Sequence, residues 1–189
     1  TGALAEFGPA INNGATLAAD QVNAAATAVF GGPLIEIVTE DDGTNPSQGT
    51  DRARKLVNTD GVVAIVGALP SGGTGTVAES VTIPGQGVQI SPASTSPLVA
   101  TLPDDEDFIF RTVSSDALQG VVLAQLARGE ILPELAYERA AVIYVNNPYG
   151  QGLAQAFAAA FEARGGTITA SVGHPEEPQP TYAGVLDQL

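Results

Sequence analysis

The chain has 189 residues, of which 44% are hydrophobic, enough for one or two compact domains with a buried core. Cysteine is absent and histidine occurs once, which excludes disulfides, thiolate chemistry and a structural zinc site. The formal net charge of −14 repels nucleic acid and anionic lipid surfaces. The only lysine, Lys55, lies outside any GxxxxGKS/T pattern, so the sequence has no phosphate-binding P-loop. We therefore expect no metal, no cofactor and no nucleic-acid partner.

The first part of the chain alternates between helix and strand patterns. Residues 11–30 carry Ile, Ala and Val at helical spacing, and Gly31 ends that pattern. Residues 34–38, with the sequence Leu-Ile-Glu-Ile-Val, predict a strand. Asn45 and the three residues after it resemble a capping box, so they predict a helix that ends near Gly61.

Two strand patterns, 62–66 and 87–91, each lead into a loop that is rich in hydroxyl groups and carries no charge. The first loop is 67–73 and the second is 91–97. A further short strand pattern follows at 108–111. In alternating α/β chains, the loops at the carboxyl ends of strands bind ligands. The two loops therefore predict a receptor for a small zwitterion or another polar solute.

The second part of the chain repeats the alternation. A helix pattern capped by Ser115 or Ser114 precedes the continuous apolar strand 140–145, which has the composition expected for a strand that is covered on both faces. A helix over 152–164, a strand over 167–172 and the start of a helix at 181–189 follow. Strands that alternate with helices of about 10–15 residues predict parallel sheets with helices on both sides.

The chemistry of the two loops suits the two ends of an amino acid. Gly72 and Gly73 allow close approach of the backbone, and the start of the following helix offers N–H groups. With the Ser71 hydroxyl, these donors favour a carboxylate. The Ala93 carbonyl and the Thr95 hydroxyl could accept hydrogen bonds from an ammonium group. Contacts of this kind contribute roughly 1.5–3 kcal/mol each.

Ordinary structural roles and an enzyme are the alternatives. Ser and Gly after a strand are common turn formers, and Ser91-Pro92 is a dipeptide that is common in ordinary loops. A hydrolase is less favoured, because Ser71 lacks the GxSxG elbow, with Leu69 in place of the first glycine. The only histidine, His174, lies in a loop rich in Pro and Glu and has no nucleophile signature. An α/β hydrolase-type enzyme would need its base from outside this chain.

Short motifs along the whole chain carry a family resemblance. In order, they are Thr1-Gly2 with Phe7-Gly8, Gly14-Ala15 with Ala19-Asp20-Gln21-Val22-Asn23, Glu40-Asp41-Asp42, Gly67-Ala68-Leu69-Pro70-Ser71, Ile90-Ser91-Pro92-Ala93-Ser94-Thr95, Phe110-Arg111-Thr112 and Tyr149-Gly150-Gln151-Gly152. Each motif is weak by itself, whereas their shared order and spacing are specific. By these motifs the chain resembles the periplasmic solute-binding proteins of ABC transporters, in particular the branched-chain amino acid (leucine/isoleucine/valine-binding) type.

The resemblance implies a type I periplasmic binding fold with two α/β lobes, each a mostly parallel sheet with helices on both faces. It places residues 1–111 in the first lobe and 112–189 in the second, with the acidic stretch 102–107 as a surface loop near the boundary. The first strand and the C-terminal return of the first lobe would then lie outside the chain. The chain thus resembles an N-terminal fragment whose second lobe is incomplete.

The resemblance also implies which residues bind the ligand. It supports the assignment of the α-carboxylate and α-amino groups to the two loops, places Phe7 in the side-chain pocket and makes Tyr149 a lid from the second lobe. Asp116 lies where the chain enters that lobe, and complementing a helix dipole is an equally good role for it. The predicted ligand-binding residues are Phe7, Leu69, Pro70, Ser71, Gly72, Ala93, Ser94, Thr95, Asp116 and Tyr149.

By this resemblance the protein is a receptor and not an enzyme. It would bind an amino acid or amide, close its lobes by a hinge motion and deliver the ligand to an ABC permease. No apolar stretch approaches the roughly 20 residues of a membrane span, so direct insertion is not expected. The expected location is periplasmic or extracellular, and a lipid anchor upstream of Thr1 is compatible with it. The alternative is the ligand-sensing domain of a receptor or regulator with the same fold. Urea, short amides and aromatic acids stay open as ligands.

Overall fold

The computed structural model describes residues 1–104 and 106–189. Asp105, which belongs to the predicted acidic loop 102–107, lies outside the described residues. Across the described parts of the chain, no helix is both long enough and apolar enough to cross a membrane.

The described residues form two compact units. The first unit comprises Thr1–Ala93 with Pro103–Thr112, and the second comprises Ser94–Leu102 with Val113–Leu189. The segment Ser94–Leu102 thus belongs with the second unit, whereas the sequence interpretation divides the chain once, after residue 111. The correspondence of these units to the two lobes of the full-length protein stays a prediction.

A three-stranded parallel sheet organises the first unit. Its strands lie in the order β1, β2, β3, so β2 is central and pairs with both neighbours. The elements are α1 (Gly8–Phe30), α2 (Pro46–Asn58), β1 (Ala64–Val66), α3 (Ser71–Val77) with a π-helical turn (Ala78–Thr82), β2 (Val88–Ser91) and β3 (Ile109–Arg111). Ala53 of α2 packs with Val77 and Val81, and Val57 and Ile65 lie against this cluster.

The start of α2 follows the predicted cap in part. The Asn45 side chain accepts a hydrogen bond from the Gln48 backbone N–H at 3.0 Å, which satisfies one of the first N–H groups of the helix. The second half of a capping box is absent here, because the Gln48 amide instead donates to the Asp41 carbonyl at 2.9 Å. Gln48 therefore ties the preceding loop to the helix.

Residues 34–38 do not form the predicted strand. They have no regular secondary structure and pair with no strand among the described residues, and a strand needs such a neighbour for its hydrogen bonds. The Asn23 side chain of α1 takes the place of a neighbour. Its Oδ1 accepts from the N–H groups of Leu34 and Ile35 at 2.8 Å each, and its Nδ2 donates to the Ile35 carbonyl at 2.7 Å.

An ion cluster holds Glu40, two residues beyond this segment. Lys55 Nζ donates to a carboxylate oxygen of Asp60 at 2.8 Å and to one of Glu40 at 2.6 Å. These two hydrogen bonds hold the pKa of Lys55 above its ordinary value. The pairing joins Glu40 to the C-terminal part of α2 at the surface of the unit.

The second unit contains a two-stranded parallel sheet and two long helices. Its elements are a 3₁₀ turn (Pro97–Thr101), α4 (Asp116–Ala127), β4 (Arg139–Val145), α5 (Pro148–Glu162), β5 (Thr167–His174) and the short α6 (Ala183–Leu186). Strands β4 and β5 pair in parallel, with an irregularity between Ala140 and Ala141. Phe161 of α5 is fully buried with Ala124 of α4, and its ring stacks on Phe157 at 5.4 Å.

Gly120 sets the distance between α4 and α5. A Cβ atom at this position would lie 2.6 Å from the Ala156 Cβ and 2.6 Å from the Phe157 nitrogen. A Cβ atom essentially never lies this close to a neighbouring heavy atom, so any side chain at residue 120 forces the two helices apart. By contrast, a Cβ atom at Gly14, inside α1, would meet nothing within 4 Å.

We expect Gly120→Ala and Gly14→Ala to change stability in opposite directions. In the full-length protein, Gly120→Ala should lower the free energy of unfolding by about 1–3 kcal/mol through overpacking. Gly14→Ala should raise it by about 0.5–1 kcal/mol, because alanine loses less backbone entropy in a helix. Urea denaturation measures both. An equal or higher urea midpoint for Gly120→Ala would contradict the close packing of α4 and α5.

Candidate functional site

The loop after β1 places four predicted residues next to one another. Pro70 has an extended backbone (φ −70°, ψ 137°) at the N-cap position, and Ser71 is the first residue of α3. The Ser71 side chain is buried. Leu69 precedes this turn and Gly72 lies within the first turn of the helix, so the backbone N–H groups of that turn belong to the predicted carboxylate loop.

Side chains of β2 hold this loop by its carbonyl groups. Ser91 Oγ donates to the Ala68 carbonyl at 2.8 Å, and Thr74 Oγ1 donates to the same oxygen at 3.0 Å. Gln89 Nε2 donates to the carbonyls of Gly67 at 3.0 Å and Thr74 at 3.2 Å. Gln89, Ser91 and Thr74 are all fully buried. The loop conformation therefore depends on polar side chains from the central strand.

Sequence reasoning missed Gln89 as a residue of functional interest. A signal was nevertheless present, because Gln89 and Ser91 occupy alternate positions of an otherwise apolar strand pattern. Side chains two residues apart in a strand point to the same face of the sheet. Two polar side chains on one face of a central strand therefore indicate a local polar partner, which here is the backbone of the preceding loop.

The loop after β2 contributes to both units. Ala93, the last residue of its stretch in the first unit, has its N–H 3.4 Å from Ser91 Oγ. Ser94 and Thr95 belong to the second unit. Ser94 is fully buried, and Thr95 is half-buried. The structure thus places the predicted ammonium acceptors Ala93 and Thr95 in different units.

Thr95 and Asp116 form a two-way hydrogen-bonded pair within the second unit. Thr95 Oγ1 donates to Asp116 Oδ2 at 2.8 Å, and the Asp116 N–H donates to the Thr95 carbonyl at 2.8 Å. Asp116 is the first residue of α4 and is fully buried, with Ser115 as the N-cap. Asp116 thus combines two roles: it complements the helix dipole and it orients Thr95.

This pairing sets the hydrogen-bonding character of the Thr95 hydroxyl. The Thr95 hydroxyl has a single proton, which this hydrogen bond directs to Asp116 Oδ2. Toward any other group, Thr95 Oγ1 then offers lone pairs only. The pair is therefore matched to a donor such as an ammonium group and mismatched to a carboxylate.

Ser96 links the loop to the start of α5. Ser96 Oγ is fully buried and donates to the Pro148 carbonyl at 2.9 Å. A Cβ atom at Gly152 would lie 2.8 Å from Pro97 Cδ and 3.0 Å from Ser96 Oγ, so the first turns of α5 press directly on the loop. Tyr149 lies on this same first turn and is 41% exposed.

Tyr149 also lines an apolar cavity of about 520 Å³ in the second unit. The cavity lies between α4, β4 and α5, and its walls include Leu126, Ile143, Leu153 and Phe157. No charged side chain lines it, so it offers no partner for the charges of a zwitterion. This cavity is therefore distinct in chemistry from the Thr95–Asp116 pair.

Phe7 stands apart from the other predicted residues of the first unit. It lies at the N-terminal boundary of α1, with 51% of its side chain exposed, and its N–H donates to the Leu4 carbonyl at 3.1 Å. Within the described part of the first unit, no hydrogen bond or ring contact joins Phe7 to the loop 67–73. Its place in a side-chain pocket stays a prediction.

Comparison with known proteins identifies the family. The sequence profile of the family described as periplasmic binding protein matches residues 1–189. The chain belongs to the periplasmic binding protein family. Among its relatives, an amino acid binding protein of Pseudomonas aeruginosa is 36% identical over 156 residues, which cover 82% of this chain and 39% of the relative. The Leu/Ile/Val-binding protein homolog 3 of Brucella melitensis is 30% identical, over 87% of this chain and 42% of the relative.

Solved structures of the same fold agree with this membership. The branched-chain amino acid transporter substrate binding protein LivJ of Streptococcus pneumoniae, in complex with isoleucine, aligns with a TM-score of 0.79 and 25% identity. The alignment covers 99% of this chain and 50% of that one, so the present member of the family spans about half the length of its relatives. The predicted family and the type I periplasmic binding fold are confirmed.

We expect the Ser96 contact to stabilise the second unit. In the full-length protein, Ser96→Ala should lower the free energy of unfolding by about 0.5–1.5 kcal/mol, because the half-buried Pro148 carbonyl loses the hydrogen bond from Ser96. The control is Thr101→Ala, where the lost hydroxyl donates to the Leu98 carbonyl at 3.0 Å on an exposed turn. That change should stay within about 0.5 kcal/mol. Equal urea midpoints for the two variants would contradict the anchoring role of Ser96.

Proposed function

We propose that the full-length protein is an extracytoplasmic receptor that binds an amino acid and delivers it to an ABC permease. The observation that carries the proposal is the Thr95–Asp116 pair, in which a buried carboxylate orients a threonine hydroxyl as an acceptor. Acceptors and negative charge suit a ligand ammonium group, whose desolvation needs such partners. Membership of a solute-binding family supports the proposal and gives no support to an enzyme.

The ligand carboxylate is assigned to the loop at the start of α3. Ser71 supplies a hydroxyl, and the first turn of α3 supplies backbone N–H groups that include that of Gly72. Hydrogen bonds to charged groups contribute roughly 1.5–3 kcal/mol each. A handful of them would support micromolar affinity, about 8 kcal/mol, after the cost of ordering is subtracted.

The remaining predicted residues complete the proposed ligand set. The Ala93 carbonyl would join Thr95 as an ammonium acceptor, while Phe7 and Tyr149 would contact the ligand side chain. We propose the full set as Phe7, Leu69, Pro70, Ser71, Gly72, Ala93, Ser94, Thr95, Asp116 and Tyr149. The names of the Brucella relative and of the Streptococcus structure favour Leu, Ile or Val as the ligand.

The chemistry of His174 gives no support to a hydrolase. His174 Nδ1 lies 2.7 Å from the Pro175 carbonyl, and its ring meets the Tyr182 ring edge-on at 5.2 Å. Both contacts are local and place the histidine, which is the last residue of β5 and not part of a loop as predicted, against the residues that follow the strand. The proposal is also compatible with a lipid anchor at a membrane, carried by a segment upstream of Thr1.

A calorimetric titration of the full-length protein tests the ligand class. We expect Leu, Ile or Val to bind with micromolar affinity, and 4-methylpentanoate, which is leucine without its amino group, to bind at least tenfold more weakly. Leucinamide, which keeps the ammonium and loses the carboxylate charge, should be weakened as well. Tight binding of a simple carboxylate such as benzoate, without binding of any amino acid, would contradict the ammonium assignment.

A double-mutant cycle tests the Thr95–Asp116 pair. Thr95→Val should weaken binding of the amino acid at least tenfold, whereas Thr95→Ser keeps the hydroxyl and should stay within about threefold. Asp116→Asn should weaken binding to a similar degree, because asparagine can donate to Thr95 and reverse its hydroxyl. If Asp116 acts through Thr95, then Asp116→Asn adds little in the Thr95→Val background. Fully additive losses would show that the two residues act independently.

A further inference from the structure

A chain of buried hydrogen bonds in the first unit runs from the π-helical turn to the loop after β1. Thr82 Oγ1 donates to Gln89 Oε1 at 2.7 Å, and both side chains are buried. On the other side of the amide, Gln89 Nε2 donates to the carbonyls of Gly67 and Thr74 at 3.0 and 3.2 Å. Every hydrogen-bonding group of the Gln89 side chain thus has a partner within the unit.

These partners allow only one orientation of the Gln89 amide. The carbonyl oxygens of Gly67 and Thr74 can only accept, so the amide nitrogen must face them. The amide oxygen then faces Thr82, whose hydroxyl can donate. A reversed amide would point its oxygen at two other oxygens. The two carbonyls therefore fix the orientation of the amide, and the Thr82 hydroxyl supplies the donor for the amide oxygen.

The two carbonyls that Gln89 joins lie on either side of the proposed carboxylate-binding residues. Gly67 O is at the start of the loop and Thr74 O is within α3, with Ser71 and Gly72 between them in the chain. One planar amide thus spans the segment that would donate to the ligand. A change of a few tenths of an ångström at either end would move the Ser71 hydroxyl and the neighbouring N–H groups.

We propose that Gln89 is a positioning residue that sets the affinity of the α3 loop for the ligand carboxylate. The inference rests on the proposed function. Strands that are buried in parallel sheets are normally apolar, and a buried amide is costly unless every group is paired. An apolar side chain of the same length would fill this position without that requirement. The hydrogen bonds of the amide hold the loop in one conformation. Binding sites gain affinity when their donors are held in place before the ligand arrives.

The test compares two ligands on variants of the full-length protein. Leucine carries the carboxylate and leucinamide does not, so the ratio of their affinities reports on the carboxylate loop alone. Calorimetric displacement gives both values. Gln89→Met, which keeps the length and loses the hydrogen bonds, should reduce the leucine-to-leucinamide ratio at least tenfold while leucinamide affinity stays within threefold.

Two further variants separate positioning from simple stability. Thr82→Val leaves Gln89 in place but takes the donor away from its buried amide oxygen, so the amide holds the loop less firmly and the same ratio should fall at least threefold. Thr82→Ser keeps the donor and should keep the wild-type ratio. Thr50→Val is the matched control, because Thr50 is another buried hydroxyl of this unit and donates to the Pro46 carbonyl at 2.9 Å, with no hydrogen bond to Gln89 or to a carbonyl of residues 67–73 among the described residues. It should lower the melting temperature and leave the ratio unchanged.

The outcomes distinguish this inference from the proposed function. A wild-type protein that binds no amino acid would overturn the proposed function and the role of Gln89 with it. A wild-type protein that binds leucine, with an unchanged ratio in Gln89→Met or Thr82→Val, would overturn only the role of Gln89. If Gln89→Met does not fold, the Thr82 variants alone decide between the two results.

Discussion

Strand β2 carries the constraint on which the first unit depends. It pairs in parallel with β1 on one side and β3 on the other, so its backbone groups are committed to the sheet. Its side chains Gln89 and Ser91 then bind the carbonyls of the loop that follows β1. Because these polar side chains are carried by the central strand, the position of that strand in the sheet fixes the conformation of the loop. Buried side chains of the core therefore hold the candidate carboxylate site in place.

In the second unit, close packing of helices fixes the loop that carries Thr95. Glycines at 120 and 152 let α5 approach α4 and the loop Ser96–Pro97 so closely that no Cβ atom fits. The start of α5 is therefore fixed against the loop that holds Thr95, and Thr95 is fixed in turn by Asp116. Small residues and buried hydroxyls together keep the polar groups of this unit in one arrangement. Rigid supports of this kind suit a site that recognises a small charged solute.

Features that depend on adjacent residues could be predicted from the sequence. Features that depend on a partner elsewhere in the chain were missed. The cap at Asn45 follows from four adjacent residues, and the loop after β1 follows from a short apolar run and two glycines. Residues 34–38 have the composition of a strand, but a strand also needs a partner, which composition cannot supply. Gln89 was missed because glutamine is usually exposed, although its alternation with Ser91 in the strand pattern was a signal. For Asp116 the sequence offered a helix-dipole role, while its bond to Thr95 spans 21 residues and required the structure.

The three hydrogen bonds of Asn23 have a consequence for the order in which the chain folds. They connect residues only 11 and 12 positions apart, whereas the pairing of Ala64 with Val88 closes a loop of 24 residues. Shorter loops lose less entropy on closure and form contacts sooner. We therefore expect residues 34 and 35 to dock on α1 before the long-range parallel pairs form, with Asn23 as their local hydrogen-bond partner.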